Sequence, residues 1–279
     1  MLKNILSASD EIDFVSELLL LCPRWLHKDV SSNIRKYVGD LDKPGAVDRL
    51  IQLLYFDDYH DRYWLAIKRD IDREMLREEL SRDSLSIGAL LRAIMVAHAR
   101  MKGRPRIGAK FPLHYSYTHK LLEWFPDCQL IHTTRNPKAV YASQSAKYIT
   151  PELGFAGRAY SRMQQFAHIN IQITWTASLH RKFCELPNYR LLRYEDVVVE
   201  PEATLRKLCD YIGISLTENM LSPHQFGSSF QTIGEGRRGI DESSLELWRT
   251  SISPATAFII DAGHRRANRM FGYNDWRSP

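Results

Sequence analysis

The sequence predicts a three-layer α/β fold with a short parallel sheet flanked by helices, and three observations carry that prediction. Two short apolar runs, at 107–110 and 129–134, have turn signals on both sides, as buried parallel strands do. Between them Leu121, Leu122 and Phe125 recur at helical spacing, and Pro126 with Asp127 closes the segment. The stretch therefore reads strand, helix, strand, the pattern of a βαβ crossover. A further short strand at 189–193 precedes a helix at 201–212 that Gly213 stops.

Taken in order, residues 1–6 read as a helix with Met1, Leu2, Ile5 and Leu6 on one face and no capping residue before it. A polar turn and a short extended piece ending near Glu17 follow. From about 23 to 101 the pattern is helical, with Val47, Leu50, Ile51 and Leu54, and then Leu90, Leu91, Ile94 and Met95, at helical spacing. The part at 57–83 mixes both charge signs three or four residues apart, as a solvated helix does. The aromatics Tyr55, Phe56, Tyr59, Tyr63 and Trp64 read as a packing seam before they read as the wall of a pocket. Asn136 and Pro137 open a helix after the second strand, an N-cap followed by the imino acid favoured at the first helical position. A long helix is expected at 155–183, with Trp175, Leu179 and Phe183 as its core stripe, and a last helix at 254–271. One domain, 1–279, with a helical elaboration at about 23–101, is the simplest count.

With 279 residues, 44% hydrophobic and 25% charged, the chain can bury a substantial core without disulfides. A net charge of +5 suits a polyanionic small ligand as well as it suits nucleic acid. Cys22, Cys128, Cys184 and Cys209 form no CxxC pair and the ten histidines include no HExxH, so no metal site is expected. No apolar run has the length of a membrane span and the start lacks the pattern of a cleavable leader, so the expected compartment is the cytoplasm. Gly234, Gly236 and Gly239 make a literal GxGxxG, but neither a βαβ unit nor an acidic residue about twenty positions on accompanies it.

The candidate site begins at Arg135. In open α/β sheets ligands bind beyond the carboxyl ends of strands, and a helix start adds N–H groups and positive potential, so a phosphate fits there. Arg135 would meet it with a planar fork of donors, and Ser143, two turns into the helix on the face shared with Asn136, could add a hydroxyl. Lys110 ends the first strand of the crossover, where a lysine either meets developing negative charge or simply snorkels at the surface.

Arg135, the Asn136-Pro137 turn and Ser143 resemble the 3′-phosphate-binding segment of sulfotransferases, enzymes that move a sulfonate from 3′-phosphoadenosine 5′-phosphosulfate (PAPS) to an acceptor. Lys110 in GAKFP, Tyr194-Glu195-Asp196 followed by Pro201, the turn Ile212-Gly213-Ile214, the basic loop at 236–239 and the ending Phe271-Gly272-Tyr273 are similar to that family, in its order. The resemblance runs from about Met1 to Tyr273 and implies a P-loop nucleotide-hydrolase-like fold. It implies that Glu17 acts as base on the acceptor hydroxyl and that Lys110 steadies the leaving oxygen. Arg135, Ser143, Tyr194 or its neighbour Arg193, Arg237, Arg238 and Gly239 would contact the nucleotide, with Glu195 holding a structural hydrogen bond. The helical elaboration would help choose the acceptor. In the family a strand and a phosphate loop of the form R-S-G-T-T precede the first helix. Here that first strand and loop are missing, and the expectation is that the reading frame continues upstream of Met1.

The function expected is therefore transfer of a sulfonate from PAPS to a hydroxyl or amine, without a metal. The partners would be the nucleotide and an acceptor that could be a carbohydrate, a lipid, a peptide tyrosine or a metabolite, with no nucleic acid and no membrane span. A nucleotide-binding but inactive relative is the alternative, and a nucleic-acid-binding protein, supported by a pI near 9.0, a distant one.

Overall fold

The computed structural model describes residues 1–18, 20–21, 30–56, 62–150, 152–225, 237–238, 240 and 242–273. They belong to two compact units, Met1–Pro126 with Gly213–Gly239, and Asp127–Ile212 with Ile240–Pro279.

The first unit opens with α1 (Leu2–Leu6), which buries Ile5 and Leu6, and β1 (Ile12–Phe14). The predicted helical stretch follows as α2 (Val30–Val38), α3 (Ala46–Tyr55), α4 (Arg62–Asp70), α5 (Arg73–Leu80) and α6 (Ile87–Lys102). Local chemistry sets the boundaries, because Asp72 accepts from Met75 N at 2.9 Å and Ser86 from Ala89 N at 3.0 Å, each an N-cap. The charged stretch at 57–83 is more than a solvated face. Trp64, Ile67 and Leu76 lie fully buried in a core shared with Leu50, Ile51 and Leu54 of α3 and Leu90 and Ile94 of α6. Trp64 donates its indole N–H to Leu54 O at 2.8 Å and meets Tyr55 edge-on at 6.4 Å, so these two aromatics form the packing seam. Tyr59 lies outside the described residues.

Next come β2 (Arg106–Gly108), a 3₁₀ turn (Pro112–Tyr117) and α7 (Thr118–Trp124). β2 runs parallel to β1, with Phe14 opposite Gly108. The Phe14 ring occupies the place where a side chain on Gly108 would begin, so only glycine lets the two strands pair in this register.

The second unit begins with β3 (Leu130–Thr134), α8 (Pro137–Tyr148), α9 (Phe155–Phe183), β4 (Tyr189–Arg193), α10 (Tyr194–Val199) and α11 (Pro201–Ile212). β3 and β4 are parallel, from Leu130 opposite Tyr189 to Thr134 opposite Arg193. The fold class is the predicted one, but the strand–helix–strand stretch feeds two ladders, β2 with β1 and β3 with β4. α9 spans the predicted residues with a displaced core stripe. Ile169, Ile173 and Ala177 are buried at i, i+4 and i+8, while of the predicted stripe Phe183 is buried and Trp175 and Leu179 are half-buried.

The chain returns to the first unit with α12 (Glu218–Leu221), β5 (His224–Gln225) and β6 (Arg237–Arg238), the last two antiparallel. It ends in the second unit with α13 (Ser243–Ser251), α14 (Pro254–Gly263) and α15 (Arg265–Met270). The single helix expected at 254–271 is thus two, broken at His264. The break is bridged by Asn268 Nδ2, which donates to Asp261 Oδ1 at 3.2 Å. Tyr141, Ile169, Ile173, Ile260, Phe271 and Tyr273 form the core of this unit.

Candidate active site

In the second unit the site is built where β3 ends. Asn136 caps α8 as predicted, its Oδ1 accepting from Lys138 N at 3.0 Å. The backbone N–H of Asn136 itself donates to Glu195 Oε1 at 2.7 Å, and the other carboxylate oxygen accepts from Tyr273 O–H at 3.0 Å. Glu195 is therefore the structural hydrogen-bonding residue that the sequence suggested, 1% exposed. Burial pushes its carboxyl above the ordinary carboxylate value, against the opposing effect of those hydrogen bonds. Tyr273 is pushed up as well, by burial and then by the Glu195 charge.

This arrangement alters one expectation. The start of α8 was to offer fresh N–H groups to a phosphate, yet the Asn136 amide serves Glu195, Pro137 has none, and the Lys138 amide serves the Asn136 side chain. Two of the amides at the start of α8 are thus already taken within the protein. Arg135 is half-buried with its guanidinium stacked over the Tyr194 ring at 4.2 Å, which brings together two of the predicted nucleotide contacts. Ser143 is exposed on α8, seven residues and so two turns beyond Asn136. Lys138 pairs with Asp261 at 2.7 Å and lies over the Trp248 ring at 4.4 Å.

In the first unit the two predicted catalytic residues meet. Lys110 Nζ stands 3.5 Å from Glu17 Oε2, although 93 positions separate them. Around them lies a network that sequence reasoning missed. Ser16 Oγ donates to Asp70, and His98 Nε2 lies 3.0 Å from Asp13 Oδ2. Burial works to raise the Asp70 carboxyl, but hydrogen bonds from Arg69 and Ser16 outweigh it and hold the group below its ordinary value. Burial also holds the Lys3 ammonium down, with Asp13, Lys110, Asp70 and Glu17 all within electrostatic reach of it. No local pattern marks Lys3, Asp70 or His98, since each depends on contacts far along the chain.

Arg237 and Arg238, expected in a flexible loop, have their backbone paired with Gln225 and His224 in a short antiparallel ladder. Gly239, like Gly234 and Gly236, lies outside the described residues. A cavity of about 720 Å³ in the second unit is walled by Arg190, Asp196, Lys207 and Tyr211 among others, and no predicted site residue lines it. Among the described residues no three His, Cys, Asp or Glu side chains gather as a metal site requires, and no helix is long and apolar enough to cross a membrane.

Short parallel strands flanked by helices, with an arginine following a strand and preceding a capped helix, define a mixed α/β protein. A profile described as "Sulfotransferase family" matches residues 1–218. The chain belongs to the sulfotransferase family. Its fold is like that of the sulfotransferase domain from the curacin biosynthetic pathway, with a TM-score of 0.53, 18% identity, and coverage of 98% of this chain and 93% of that one. The sulfotransferase domain of the Synechococcus PCC 7002 olefin synthase is similar too, with a TM-score of 0.56, 18% identity, and coverage of 98% and 90%. In sequence the chain is 27% identical over 161 residues to human carbohydrate sulfotransferase 3, covering 53% of this chain and 34% of that protein. It is 26% identical over 152 residues to an uncharacterized protein of Aquifex aeolicus strain VF5, covering 52% and 19%. The matched stretch thus spans well under two thirds of either relative.

Proposed function

We propose that this chain transfers a sulfonate group from PAPS to a hydroxyl or amine acceptor. The observation that carries the reading is Arg135, half-buried and stacked on Tyr194 at the end of β3, beside a helix start that Glu195 fixes in place. That arrangement is suited to a phosphate and its nucleoside. Arg135 and Ser143 hold the 3′-phosphate, and Tyr194, Arg237, Arg238 and Gly239 complete the nucleotide contacts. Sulfuryl transfer needs the acceptor and leaving oxygens aligned and charge on the departing phosphate stabilised. A bond forms from sulfur to the acceptor oxygen as the bond from sulfur to the phosphate oxygen breaks. The acceptor proton passes to Glu17, and the electron pair stays on the phosphate of the product adenosine 3′,5′-bisphosphate, where Lys110 meets it. The name of the human relative speaks for a carbohydrate hydroxyl among the possible acceptors.

Calorimetry with adenosine 3′,5′-bisphosphate tests the reading. A hydrogen bond to a charged group is worth about 1.5–3 kcal/mol, so Arg135→Ala should weaken binding about 10- to 150-fold, with Arg135→Lys in between. Equal affinity of the alanine variant and the parent protein ends the proposal. Saturable binding without transfer of labelled sulfonate to any acceptor would mark an inactive relative instead.

A further inference from the structure

The segment that carries Glu17 has little backbone pairing to hold it. β1 is three residues long, and its ladder with β2 closes where Val15 N donates to Gly108 O at 3.1 Å. Among the described residues, neither Ser16 nor Glu17 adds a backbone hydrogen bond to that ladder. Val15 and Leu18 are buried in the core of the first unit, which sets how deep the segment lies. Apolar burial is non-directional, so it does not by itself aim the side chain between them.

Two side-chain pairs supply the direction, and both lie in the first unit. Ser16 Oγ donates to Asp70 Oδ2 at the end of α4, and His98 Nε2 on α6 lies 3.0 Å from Asp13 Oδ2. A carboxylate only accepts, so the proton of the second bond sits on Nε2. The other oxygen of Asp13 accepts from Phe14 N at 2.8 Å, which ties the backbone of β1 to α6. Both pairs run against local preference. Asp70 is the last residue of α4, where the helix carbonyls disfavour a negative charge, and its neighbour Arg69 is largely exposed and offsets little. Asp13 lies in a strand, where aspartate is depleted. His98 is 4% exposed, and its Nδ1 is buried without a hydrogen-bond partner. Residues that break local rules in this way are expected at functional sites.

We propose that Asp70 and His98 are positioning residues for the transfer: with Ser16 and Asp13 they clamp the segment after β1 and so aim the Glu17 carboxylate at the acceptor. The inference rests on the transfer reading, which makes Glu17 the base. Glu17 Oε2 lies 3.5 Å from Lys110 Nζ, at the limit of a hydrogen bond and half in solvent, so Lys110 alone does not fix the carboxylate. Its aim comes from the backbone beneath it. A base takes a proton at about 2.6–3.2 Å, and a displacement of about 1 Å costs up to about 10²-fold in rate. Helices α4 and α6, in the stretch expected to choose the acceptor, thereby also hold the base.

Two measurements on the full chain test the clamp: turnover of PAPS with D-glucosamine, which offers hydroxyls and an amine, and hydrogen exchange of segment 12–18. Asp70→Ala and Ser16→Ala should each lower kcat about tenfold. Both should leave the KM for PAPS and the affinity for adenosine 3′,5′-bisphosphate unchanged, and both should speed exchange of the Phe14 and Val15 amides. Asp70→Asn keeps an oxygen for Ser16 and should restore both readouts, as His98→Gln, which keeps an N–H for Asp13, should where His98→Ala does not. In the Glu17→Gln background Asp70→Ala should slow turnover no further, because it acts through Glu17. An Asp70→Ala variant with the parent kcat overturns the proposal. So does Asp70→Asn as slow as Asp70→Ala, or the full loss repeated in the Glu17→Gln background. Bisphosphate binding judges the transfer reading separately. A parent that fails to bind the bisphosphate ends that reading, and exchange then decides the clamp: faster in Asp70→Ala and restored in Asp70→Asn upholds it, and unchanged exchange overturns it.

Discussion

Removing the Glu195 carboxylate should be among the most costly single changes in the second unit. Glu195→Ala leaves the Asn136 N–H and the Tyr273 O–H buried without their acceptors, and Asn136 is only 2% exposed. Each stranded donor costs about 1–3 kcal/mol, so the variant should lose on the order of 4 kcal/mol. Tyr273→Phe removes one donor and keeps the other bond, for about 1–2 kcal/mol, and the double variant should cost less than the two single losses together. Glu195→Gln keeps an acceptor for the Asn136 amide and should cost least. Urea unfolding gives the energies, and hydrogen exchange in segment 130–148 shows whether the start of α8 loosens first. A Glu195→Ala variant within about 1 kcal/mol of the parent would refute the reasoning, since it would mean that the carboxylate satisfies nothing. The pH dependence follows from the raised carboxyl pKa. A folded-state value above the unfolded one means the folded chain binds the proton more tightly, so this group's share of stability falls as pH rises from the unfolded value through the folded one. Glu195→Gln should remove that slope.

Further outcomes follow from other contacts. Gly108→Ala forces a side chain into the Phe14 ring across the β1–β2 ladder and should cost about 1–3 kcal/mol, which thermal or urea unfolding reads directly. His132 Nδ1 and His180 Nδ1 lie 2.5 and 3.0 Å from Tyr189 O–H, so one ring accepts from the hydroxyl and the other donates to it. Burial first, and then the neighbouring His180, push His132 down to about 4. Its contribution is intact above the ordinary histidine value and lost as pH falls toward 4, a change on the order of 3 kcal/mol at most, which His132→Gln should abolish in unfolding curves taken across that window. Glu17→Gln should lower turnover about 10²- to 10⁴-fold while leaving bisphosphate affinity near that of the parent. Turnover at the parent rate would remove Glu17 from the proposed chemistry.

Elements whose ends are marked by neighbouring residues were legible in the sequence. α9 and β4 occupy the residues expected of them, and α11 ends before Gly213, which adopts a φ of +67° that other side chains rarely take. Asn136-Pro137 opens α8 because a cap and a preset φ act within one turn. The core stripe of α9 was placed on Trp175, Leu179 and Phe183, of which Phe183 alone is buried, because hydrophobicity alone cannot say which face of a helix meets its neighbours. Ile169 and Ile173 face Phe271 and Tyr273 in the core, a choice made by residues about a hundred positions away. The break at His264 does have a local marker, Gly263 at the end of α14, which a reading of 254–271 as one helix passed over.

The site divides along the same line. By itself the sequence determined which groups follow the strands, a guanidinium at 135 directly after β3, an ammonium at 110 two residues past β2, whose end falls at Gly108 and not at Lys110 as expected, and a carboxylate at 17 three residues past β1. Only the tertiary structure decided that Glu195 takes the amide at the start of α8, that Lys110 lies against Glu17, and that Asp70 and His98 stand behind Ser16 and Asp13. Those contacts join positions 54 to 93 residues apart. A hydrogen bond across such a distance forms only where burial makes an unpaired group costly, and burial belongs to the whole packed unit.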